Sequence, residues 1–453
     1  MFAGFRSDSA DQSNTKPRRA RAVPVRGWAA LAVATVVVVA GCSSSPTTSG
    51  SGSPAGNIVV AVLAPFTGPD AALGPNYRVG CLGATHALNA AGGVLGHQVT
   101  CKVVDTRGDP ADAVPATRQM FAATGNLSLV IGVTGDEAAS VVPIINVNKM
   151  VVVAMTGQSE FDSTHFDYFY RLVAPDLAES YAMVAIAKQK GYSKVALAYG
   201  NDIGSQTFVQ PAIDSIKKAG LSLVDNETLD LKATTFRTEA SKIVASHPDV
   251  IFTEALGAAD ATFLSEVQQL NGGQMIPVIG TQGDIDPAWF TSVAAAIGAS
   301  TLANNFVADN VSVDLTGPGY QSFSQNLNAV ASQVSGGVTG YLTVGGTVHL
   351  YDGVTLAALA MVKAKSTVPK DYRPFMTTIG NGTPGATVVS NYADGVAALN
   401  AGKNIRYVGP GGPTNFDSFQ TSAGIFVINA YDTSGNVKVV GQLTDQELKA
   451  VTP

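Results

Sequence analysis

Few side chains in this chain have the types and spacing that nucleophilic or metal chemistry needs. No two histidines are four residues apart and no Cys-x-x-Cys pair occurs, so the usual spacings of a zinc site are missing. The sequence also contains neither a Gly-x-Ser-x-Gly elbow nor a phosphate-binding loop. The sequence therefore predicts a protein that is not an enzyme and needs no metal or cofactor. The histidines are expected on the surface or in the core: His86, His97, His165, His247 and His349.

Nucleotide and nucleic-acid partners are also disfavoured. Residues Gly380 to Gly385 fit the spelling G-x-G-x-x-G, but Pro384 and the lack of a preceding β-branched strand indicate a loop. The formal net charge is −6, and no basic patch stands out. A protein that binds nucleic acid normally carries such a patch, so none is expected as a partner.

The cysteine with the most specific surroundings is Cys42. Basic residues come first, an apolar stretch then runs from Trp28 to Ala40, and Gly41 precedes the cysteine. This order is typical of a bacterial lipoprotein signal peptide, here residues 1–42. The Cys42 thiol can form a thioether to a diacylglycerol. We therefore expect a mature protein that begins at Cys42 and is anchored by lipid to the cell membrane, outside the cytoplasm.

Other interpretations of the N-terminus fit less well. Thirteen residues from Trp28 to Ala40 cover about 20 Å as a helix, whereas a hydrocarbon core is about 30 Å thick. The pair Arg18-Arg19 lacks the neighbours of a twin-arginine signal, so ordinary secretion is favoured. Residues 43–56 contain only Ser, Pro, Thr, Gly and Ala and are predicted to be a flexible tether.

The remaining cysteines are Cys81 and Cys101. In an oxidising compartment one disulfide is a better interpretation than two free thiols, because neither cysteine has the neighbours of a metal or nucleophile site. The bridge would tie the first helix to the second strand.

Beyond the tether, the pattern is that of an α/β protein. About 400 residues remain, and the chain is 46% hydrophobic, enough for two domains. Short β-branched runs alternate with longer amphipathic stretches, as in parallel βα units. After Thr301 the pattern is harder to assign. Residues 343–365 predict a long apolar helix, and residues 424–431 with 437–440 predict a closing hairpin.

A series of short segments follows one another in a characteristic order. They are Asn57–Pro69, Leu73-Gly74, Leu88–Gly96, Asp109-Pro110, Val130–Gly132, Tyr170-Arg171, Asp202–Gly204, Pro248–Phe252 and Ile279–Gly283. Together they resemble the branched-chain amino-acid (Leu/Ile/Val) type of ABC-transporter substrate-binding lipoprotein, which has the type I periplasmic-binding-protein fold. The resemblance spans nearly all of residues 57–440, although no single motif is diagnostic.

The resemblance implies two Rossmann-like lobes with parallel central sheets, joined by three crossovers. The crossovers are expected near Val173–Asp176, Thr301–Asn305 and Tyr407–Pro413. Lobe 1 would contain residues 57–174 and about 302–408, and lobe 2 residues 175–301 and about 409–453. A ligand would lie in the cleft, at the carboxyl ends of the strands and beside helix N-termini.

The resemblance also implies the positions of the ligand site. In the family, the turn after the third strand holds the ligand carboxylate, and it corresponds here to Thr134, Gly135 and Asp136. The turn after the fourth strand corresponds to Thr156, Gly157, Gln158 and Ser159. Gln282 stands at the family's acidic position for the ligand ammonium. The aromatic positions of the cleft correspond to Leu73, Ile203 and Leu256.

The charged positions depart from the family. Asp136 would repel a ligand carboxylate, and it is interpreted either as the N-cap of its own helix or as a ligand contact. Gln282 supplies no negative charge. Asp284 or Glu254 would compensate, although a carboxylate after a strand is more often a helix cap or a solvated group. We therefore expect a neutral polar or amide-like solute between apolar walls.

The resulting hypothesis is a non-catalytic, monomeric lipoprotein that captures a small organic solute between two lobes. Closure of the lobes would present the solute to an ABC permease and its ATPase. Two alternatives on the same fold remain open: a surface or envelope interaction lipoprotein without a solute, and a sensor that reports its ligand to a membrane partner.

Overall fold

A computed structural model describes residues 56–68, 70–311, 315–422 and 424–453. The predicted signal peptide, Cys42 and all but the last residue of the tether lie outside the described residues. Among the residues that are described, no helix is both long and apolar enough to cross a bilayer.

The described strands fall into three sheets. In chain order they are β1 (Ile58–Ala64), β2 (Val99–Asp105), β3 (Leu127–Ile131), β4 (Val152–Ala154), β5 (Phe169–Arg171), β6 (Lys194–Gly200), β7 (Ser222–Leu229), β8 (Val250–Glu254), β9 (Val278–Gly280), β10 (Phe306–Val311), β11 (Thr387–Val389), β12 (Ile405–Gly409), β13 (Gly412–Pro413), β14 (Phe426–Tyr431) and β15 (Val437–Gln442).

Most helices lie between these strands and cover both faces of the two larger sheets. In chain order they are α1 (Leu73–Ala90), α2 (Pro110–Ala123), α3 (Ala138–Val147), α4 (Asp176–Gln189), α5 (Ile203–Gln206), α6 (Val209–Ala219), α7 (Arg237–Ala245), α8 (Gly257–Leu270), α9 (Pro287–Ile297), α10 (Ala299–Asn305), α11 (Pro318–Ala329), α12 (Gly345–Ala364), α13 (Pro369–Asn381), α14 (Tyr392–Asn400) and α15 (Asp445–Val451).

The first sheet is entirely parallel and has the order β2-β1-β3-β4-β5. Its inner strand β1 is a run of apolar residues, nearly all buried, as expected for a strand covered on both faces. One apolar core lies between the sheet and helices α1 and α12, and a second lies on the side of α2 and α3. We call this sheet, its helices and the small sheet β11-β12-β13 lobe 1.

The second sheet has the order β15-β14-β10-β9-β8-β6-β7. Strands β6 to β10 pair in parallel, and the hairpin β14-β15 closes one edge in antiparallel pairing. Its two cores lie against helices α7 to α9 on one face and against α4 and α6 on the other. We call this sheet and its helices lobe 2.

The structure corrects two of the expected lobe boundaries. Strand β10 pairs with β9 and β14, so lobe 2 extends to Val311 and not to residue 301. Phe416 packs in the core of lobe 1, so lobe 1 extends well beyond residue 408. The polar pair Asp309-Asn310 interrupts the apolar pattern of β10, which hid this strand from the sequence analysis. The first crossover lies between β5 and α4, within the expected range.

A disulfide joins Cys81 in α1 to Cys101 in β2, with their Cα atoms 6.2 Å apart. It links the first helix to the second strand, which is the pairing expected from the sequence. A cross-link that closes a loop of this size stabilises a domain by about 3 kcal/mol, chiefly through the unfolded state.

Candidate functional site

The turns that follow the parallel strands of both lobes face each other across a cleft. On lobe 1 these are the turns after β3 and β4, and on lobe 2 the turns after β6, β8 and β9. In open α/β sheets this carboxyl edge is where ligands bind, because helix N-termini present free N–H groups there. The expected site residues from Thr134 to Gln282 all lie in these turns, and Leu73 lies at the start of α1.

Asp136 joins the two lobes. Its Oδ1 atom accepts a hydrogen bond from the Gly204 backbone N–H of lobe 2, at 2.9 Å. Neither the short 3₁₀ helix Gly135–Glu137 nor α3 has a side-chain cap, so the interpretation of Asp136 as the N-cap of its own helix is wrong. Burial raises the pKa of Asp136, and the nearby Asp202 adds to the rise. An acid in this position opposes a ligand carboxylate.

A second hydrogen bond crosses the cleft near the start of α1. The Asn76 Nδ2 atom donates to Asp286 Oδ2 at 2.7 Å, and both side chains are buried. Asp286 also caps α9, because its Oδ1 atom accepts from the Ala288 N–H at 2.7 Å. The two lobes are therefore in contact at two separate points of the cleft.

The turn after β4 lies against the first turn of α4. The Gly157 carbonyl accepts from the Asp176 N–H at 2.8 Å. A Cβ atom at Gly157 would lie 1.7 Å from Asp176 Oδ1, so only glycine fits. Gln158 is buried, and neither polar atom of its amide has a partner. Thr156 is buried beside it, whereas Ser159 is exposed.

The turn after β3 is fixed from within lobe 1. The Thr134 hydroxyl donates to the Met155 carbonyl at 2.8 Å, which ties the third turn to the fourth. A Cβ atom at Gly135 would lie 3.7 Å from Asp70 Oδ2, so this carboxylate lies over the turn. Burial, together with Asp202 and Asp136, raises the pKa of Asp70 to about 7.

Gln282 is paired with an acid that the sequence analysis did not identify. Its Nε2 atom donates to Oε1 of Glu179, on the first turns of α4, and Glu179 is only 2% exposed. The other carboxylate oxygen of Glu179 has no partner. Burial raises the pKa of Glu179 well above its usual range, and Asp309, Asp176 and Glu254 add to the rise.

The other end of the Gln282 amide faces α12 of lobe 1. A Cβ atom at Gly345 would lie 3.8 Å from Gln282 Oε1, 3.5 Å from Asn310 Oδ1 and 3.7 Å from His349 Cδ2. Asn310 Oδ1 and His349 Nε2 are buried without a partner. Burial lowers the pKa of His349 to about 4, so its ring is neutral at physiological pH. Gln282, Asn310 and His349 therefore converge from both lobes on the start of α12.

The two carboxylates proposed to replace the missing charge differ. Asp284 forms a capping box with Thr281, accepting from its N–H at 3.0 Å, so it is a helix cap. Glu254, at the end of β8, has a buried oxygen without a partner. Its other oxygen, Oε1, would be 3.6 Å from a Cβ atom at Gly283. Glu254 therefore belongs to the same wall of the cleft as Gln282.

The expected apolar contacts are spread along the cleft. Ile203 is 54% exposed and begins α5, beside the N–H that Asp136 accepts. Leu256 has φ +42°, a left-handed backbone that is costly for leucine and that occurs mainly at functional sites. Leu73 is half-buried and packs against the core of lobe 1.

Four buried polar residues of this cleft were not predicted from the sequence: Asp176, Glu179, Asp309 and Asn310. A signal was available for Asp176 and Glu179, because acidic residues open an otherwise apolar helix directly after the first crossover. For Asp309 and Asn310 the strand itself was missed. In the described ranges, no three His, Cys, Asp or Glu side chains are arranged to hold a metal ion.

Comparison with known proteins identifies the family. The sequence profile of a family described as periplasmic binding protein matches residues 57–418. The Leu/Ile/Val-binding protein homolog 3 of Brucella melitensis is 24% identical over 230 residues, which are 50% of this chain and 61% of that protein. The Leu/Ile/Val-binding protein BraC3 of Rhizobium johnstonii is 31% identical over 101 residues, 22% of this chain and 27% of that protein. The chain thus spans at most about three fifths of the length of these relatives.

Solved structures agree on the fold. The substrate-binding protein LivJ of Streptococcus pneumoniae, in complex with isoleucine, has a TM-score of 0.68 and 17% identity, covering 85% of this chain and 99% of LivJ. A solute-binding protein from R. palustris in complex with 4-hydroxybenzoate has a TM-score of 0.65 and 18% identity, covering 86% of this chain and 98% of that chain. With its two lobes of mainly parallel sheet, the chain therefore belongs to the periplasmic binding protein family and has the fold of its type I members.

Proposed function

We propose that this protein captures a small organic solute in the cleft between its lobes and delivers it to an ABC importer. The observation that carries the proposal is the set of buried polar atoms without partners along the cleft, on Gln158, Asn310 and His349. Buried polar groups nearly always have hydrogen-bond partners in folded proteins. Unpaired polar atoms at the carboxyl edge of the sheets, where this family binds ligands, are therefore suited to contact a ligand.

Delivery follows from the family and from the expected anchor. We propose that Cys42 holds the protein at the outer face of the cell membrane as a monomer, within reach of a permease and its ATPase. Closure of the lobes through contacts such as that between Asp136 and Gly204 would mark the loaded state.

The solute differs from those of the structural neighbours. Those neighbours were solved in complex with isoleucine, 4-hydroxybenzoate and benzoate, which all carry a carboxylate. In this chain Asp136 and Asp70 lie at the turn after β3, and these two acids disfavour the binding of a ligand carboxylate there.

A thermal-shift screen of the full-length protein in detergent tests the proposal. The library should contain amines, amides, urea, polyols, sugars, amino acids and small aromatic acids. A ligand at a hundredfold its dissociation constant adds about 2.7 kcal/mol of stability, enough to raise the Tm by several degrees. If no compound of a broad library raises the Tm, solute capture is wrong, and an interaction role on the same fold becomes the better hypothesis.

A further inference from the structure

The lobe 2 wall of the cleft buries several carboxyl groups that lack hydrogen-bond partners. Glu179, Glu254 and Asp309 all have at least one buried carboxylate oxygen without a hydrogen-bond partner, and for Asp309 both oxygens lack one. Removing a carboxylate from water without a partner is costly, and the cost falls when a positive charge is brought beside it. Acids alone do not define a ligand site, so the neutral groups beside them are needed to identify a ligand.

The neutral groups beside these acids present oxygen atoms that accept hydrogen bonds. Asn310 is 2% exposed, and its unpartnered Oδ1 lies 3.5 Å from the position that a Cβ atom at Gly345 would take at the start of α12, where Gln282 Oε1 lies 3.8 Å from the same position. The same Gln282 amide holds Glu179 through its Nε2 atom. Glu179 therefore contacts the nitrogen end of the Gln282 amide, and Asn310 lies near its oxygen end. Glu179 Oε2 and Asn310 Oδ1 can each accept a further hydrogen bond. An ammonium or guanidinium group offers only donors and matches this set.

No Lys or Arg among the described residues forms an ion pair with the acids of this wall. In the described ranges, none of the ion pairs involves Glu179, Glu254 or Asp309. Arg171, the buried arginine, is held by Asp162 at 2.5 Å and also donates to Thr421 and the Gln158 carbonyl. His349 stays neutral and does not repel a cation.

The opposite wall excludes the other half of an amino acid. Asp70 and Asp136 stand at the turn that in the family holds the ligand carboxylate, and Asp202 faces them from lobe 2. A zwitterion would satisfy Glu179 but would set its carboxylate against these acids. The charges of the cleft fit a cation without a carboxylate.

We propose that the solute is an organic cation that lacks a carboxylate, an amine or guanidine, and that Glu179 is its counter-charge with Asn310 as a neutral acceptor. The inference rests on the proposed function and names its substrate class. It replaces the neutral solute expected from the sequence, because Gln282 does not stand alone but brings Glu179 to the cleft.

The test compares head groups on matched skeletons. The full-length protein in detergent is titrated calorimetrically with butylamine, 1,4-diaminobutane, agmatine and choline, and with the alcohols and carboxylic acids of the same carbon skeletons. The expected result is binding of at least one cation, with its alcohol and acid at least 100-fold weaker. Calcium and magnesium are titrated alongside.

Variants assign the counter-charge. Glu179→Gln keeps an oxygen that accepts from Gln282 and should weaken cation binding at least 100-fold, since it removes only the charge. Asn310→Ala should weaken binding about tenfold and provides a second measurement should Glu179→Gln not fold. Glu239→Gln, on α7, removes a carboxylate outside the cleft and should leave the affinity within twofold.

The possible outcomes distinguish a failure of this inference from a failure of the proposed solute capture. A neutral or anionic solute as the best binder, a metal ion as the tight binder, or a Glu179→Gln variant within threefold of wild type overturns the inference while solute capture stands. If no compound binds, solute capture is overturned and the inference with it.

Discussion

Two buried aspartates of lobe 2 show how differently the same burial is used. Asp260 on α8 and Asp309 on β10 are both 0% exposed. Asp260 accepts from the Thr253 hydroxyl at 2.8 Å and from the Trp289 indole N–H at 3.0 Å. Asp309 accepts no side-chain hydrogen bond, and both of its oxygens are without partners. The Asp260 carboxylate joins α8 to β8 and α9. Burial of the Asp309 carboxyl without a partner lowers the stability of the fold.

The difference separates structural from functional acids. A satisfied buried acid costs stability when it is removed, because its donors lose their acceptor. An unsatisfied one costs stability while it is present, and a protein that retains it bears that cost for another reason, such as a ligand. Stability measurements can therefore distinguish the hydrogen-bonded buried acids from the unpartnered ones, even when the solute is not known.

The largest effect is expected for the structural acid. Asp260→Ala should lower the free energy of unfolding by about 3 kcal/mol, because the Trp289 indole and the Thr253 hydroxyl lose their acceptor in a dry core. Urea unfolding followed by Trp fluorescence measures it. Glu239→Gln, at a half-buried position on α7 outside the cleft, serves as the control and should change stability by less than about 0.5 kcal/mol. A loss below about 1 kcal/mol for Asp260→Ala would remove the distinction between the two groups.

The next effect is a dependence on pH. Burial raises the pKa of Asp176 to about 7, of Glu137 to about 8 and, with help from neighbouring acids, of Asp70 to about 7. A carboxyl with a raised pKa in the fold holds a proton that the unfolded chain has released, so its stabilising contribution is lost as pH rises from about 4 through 7 or 8. The free energy of unfolding should therefore fall by about 2 kcal/mol or more between pH 5 and pH 8.

Comparing pH 5 with pH 8 avoids acids that act in the opposite direction. Hydrogen bonds to backbone and side-chain donors lower the pKa of Asp249 and Asp432, whose contributions are lost only in stronger acid. Asp176→Asn should reduce the difference between the two pH values. A protein that is more stable at pH 8 than at pH 5 would contradict the conclusion that burial raises the pKa of these acids in the folded state.

A smaller effect should distinguish Asp309 directly from Asp260. Burial raises the pKa of Asp309 well above its usual range, with Asp176 adding to the rise. Asp309→Asn removes the need to hold a proton and should raise the free energy of unfolding at pH 8 by about 1 kcal/mol, with little change at pH 5. Urea unfolding of both proteins at the two pH values measures the difference. A loss of stability at pH 8 would mean that Asp309 has a structural partner.

The fold was largely predictable because its signals are local. The sequence predicts alternating parallel βα units, a long helix over residues 343–365 and a closing hairpin after residue 424, and the structure has two sheets of mainly parallel strands, α12 and β14-β15. Buried parallel strands are continuous apolar runs, which need no knowledge of distant residues. Strand β10 was missed because Asp309 and Asn310 interrupt its pattern. The family resemblance supplied the two-lobe arrangement.

The resemblance supplies positions for the candidate site but not the residues that contact them. The resemblance named Gln282 and Asp136, but their contacts come from residues 103 and 68 positions away in the sequence, Glu179 and Gly204. No periodicity or spacing links residues at such separations. The sequence shows that Gln282 carries no charge, but it does not show that Glu179 on another helix contacts it. The expectation of a neutral solute was therefore based on Gln282 without its partner.

The smallest effect concerns the contacts that join the lobes. Asn76→Ala removes the donor to Asp286 Oδ2, and water replaces it once the lobes separate, so the closed form should lose less than about 1 kcal/mol. That is enough to shift a balanced equilibrium toward the open form by a few fold. Small-angle scattering should show a larger radius of gyration for Asn76→Ala than for wild type.

Asp136→Asn is the matched variant at the other interlobe contact. Its amide oxygen still accepts from the Gly204 N–H, while the negative charge beside Asp70 and Asp202 disappears. The closed form should be kept or favoured, so the radius of gyration should not increase. If both variants opened the lobes equally, charge at Asp136 would matter for closure as much as hydrogen bonding. The acids of the lobe 1 wall would then belong with Asp260, as parts of the structure, and not with Glu179 and Asp309.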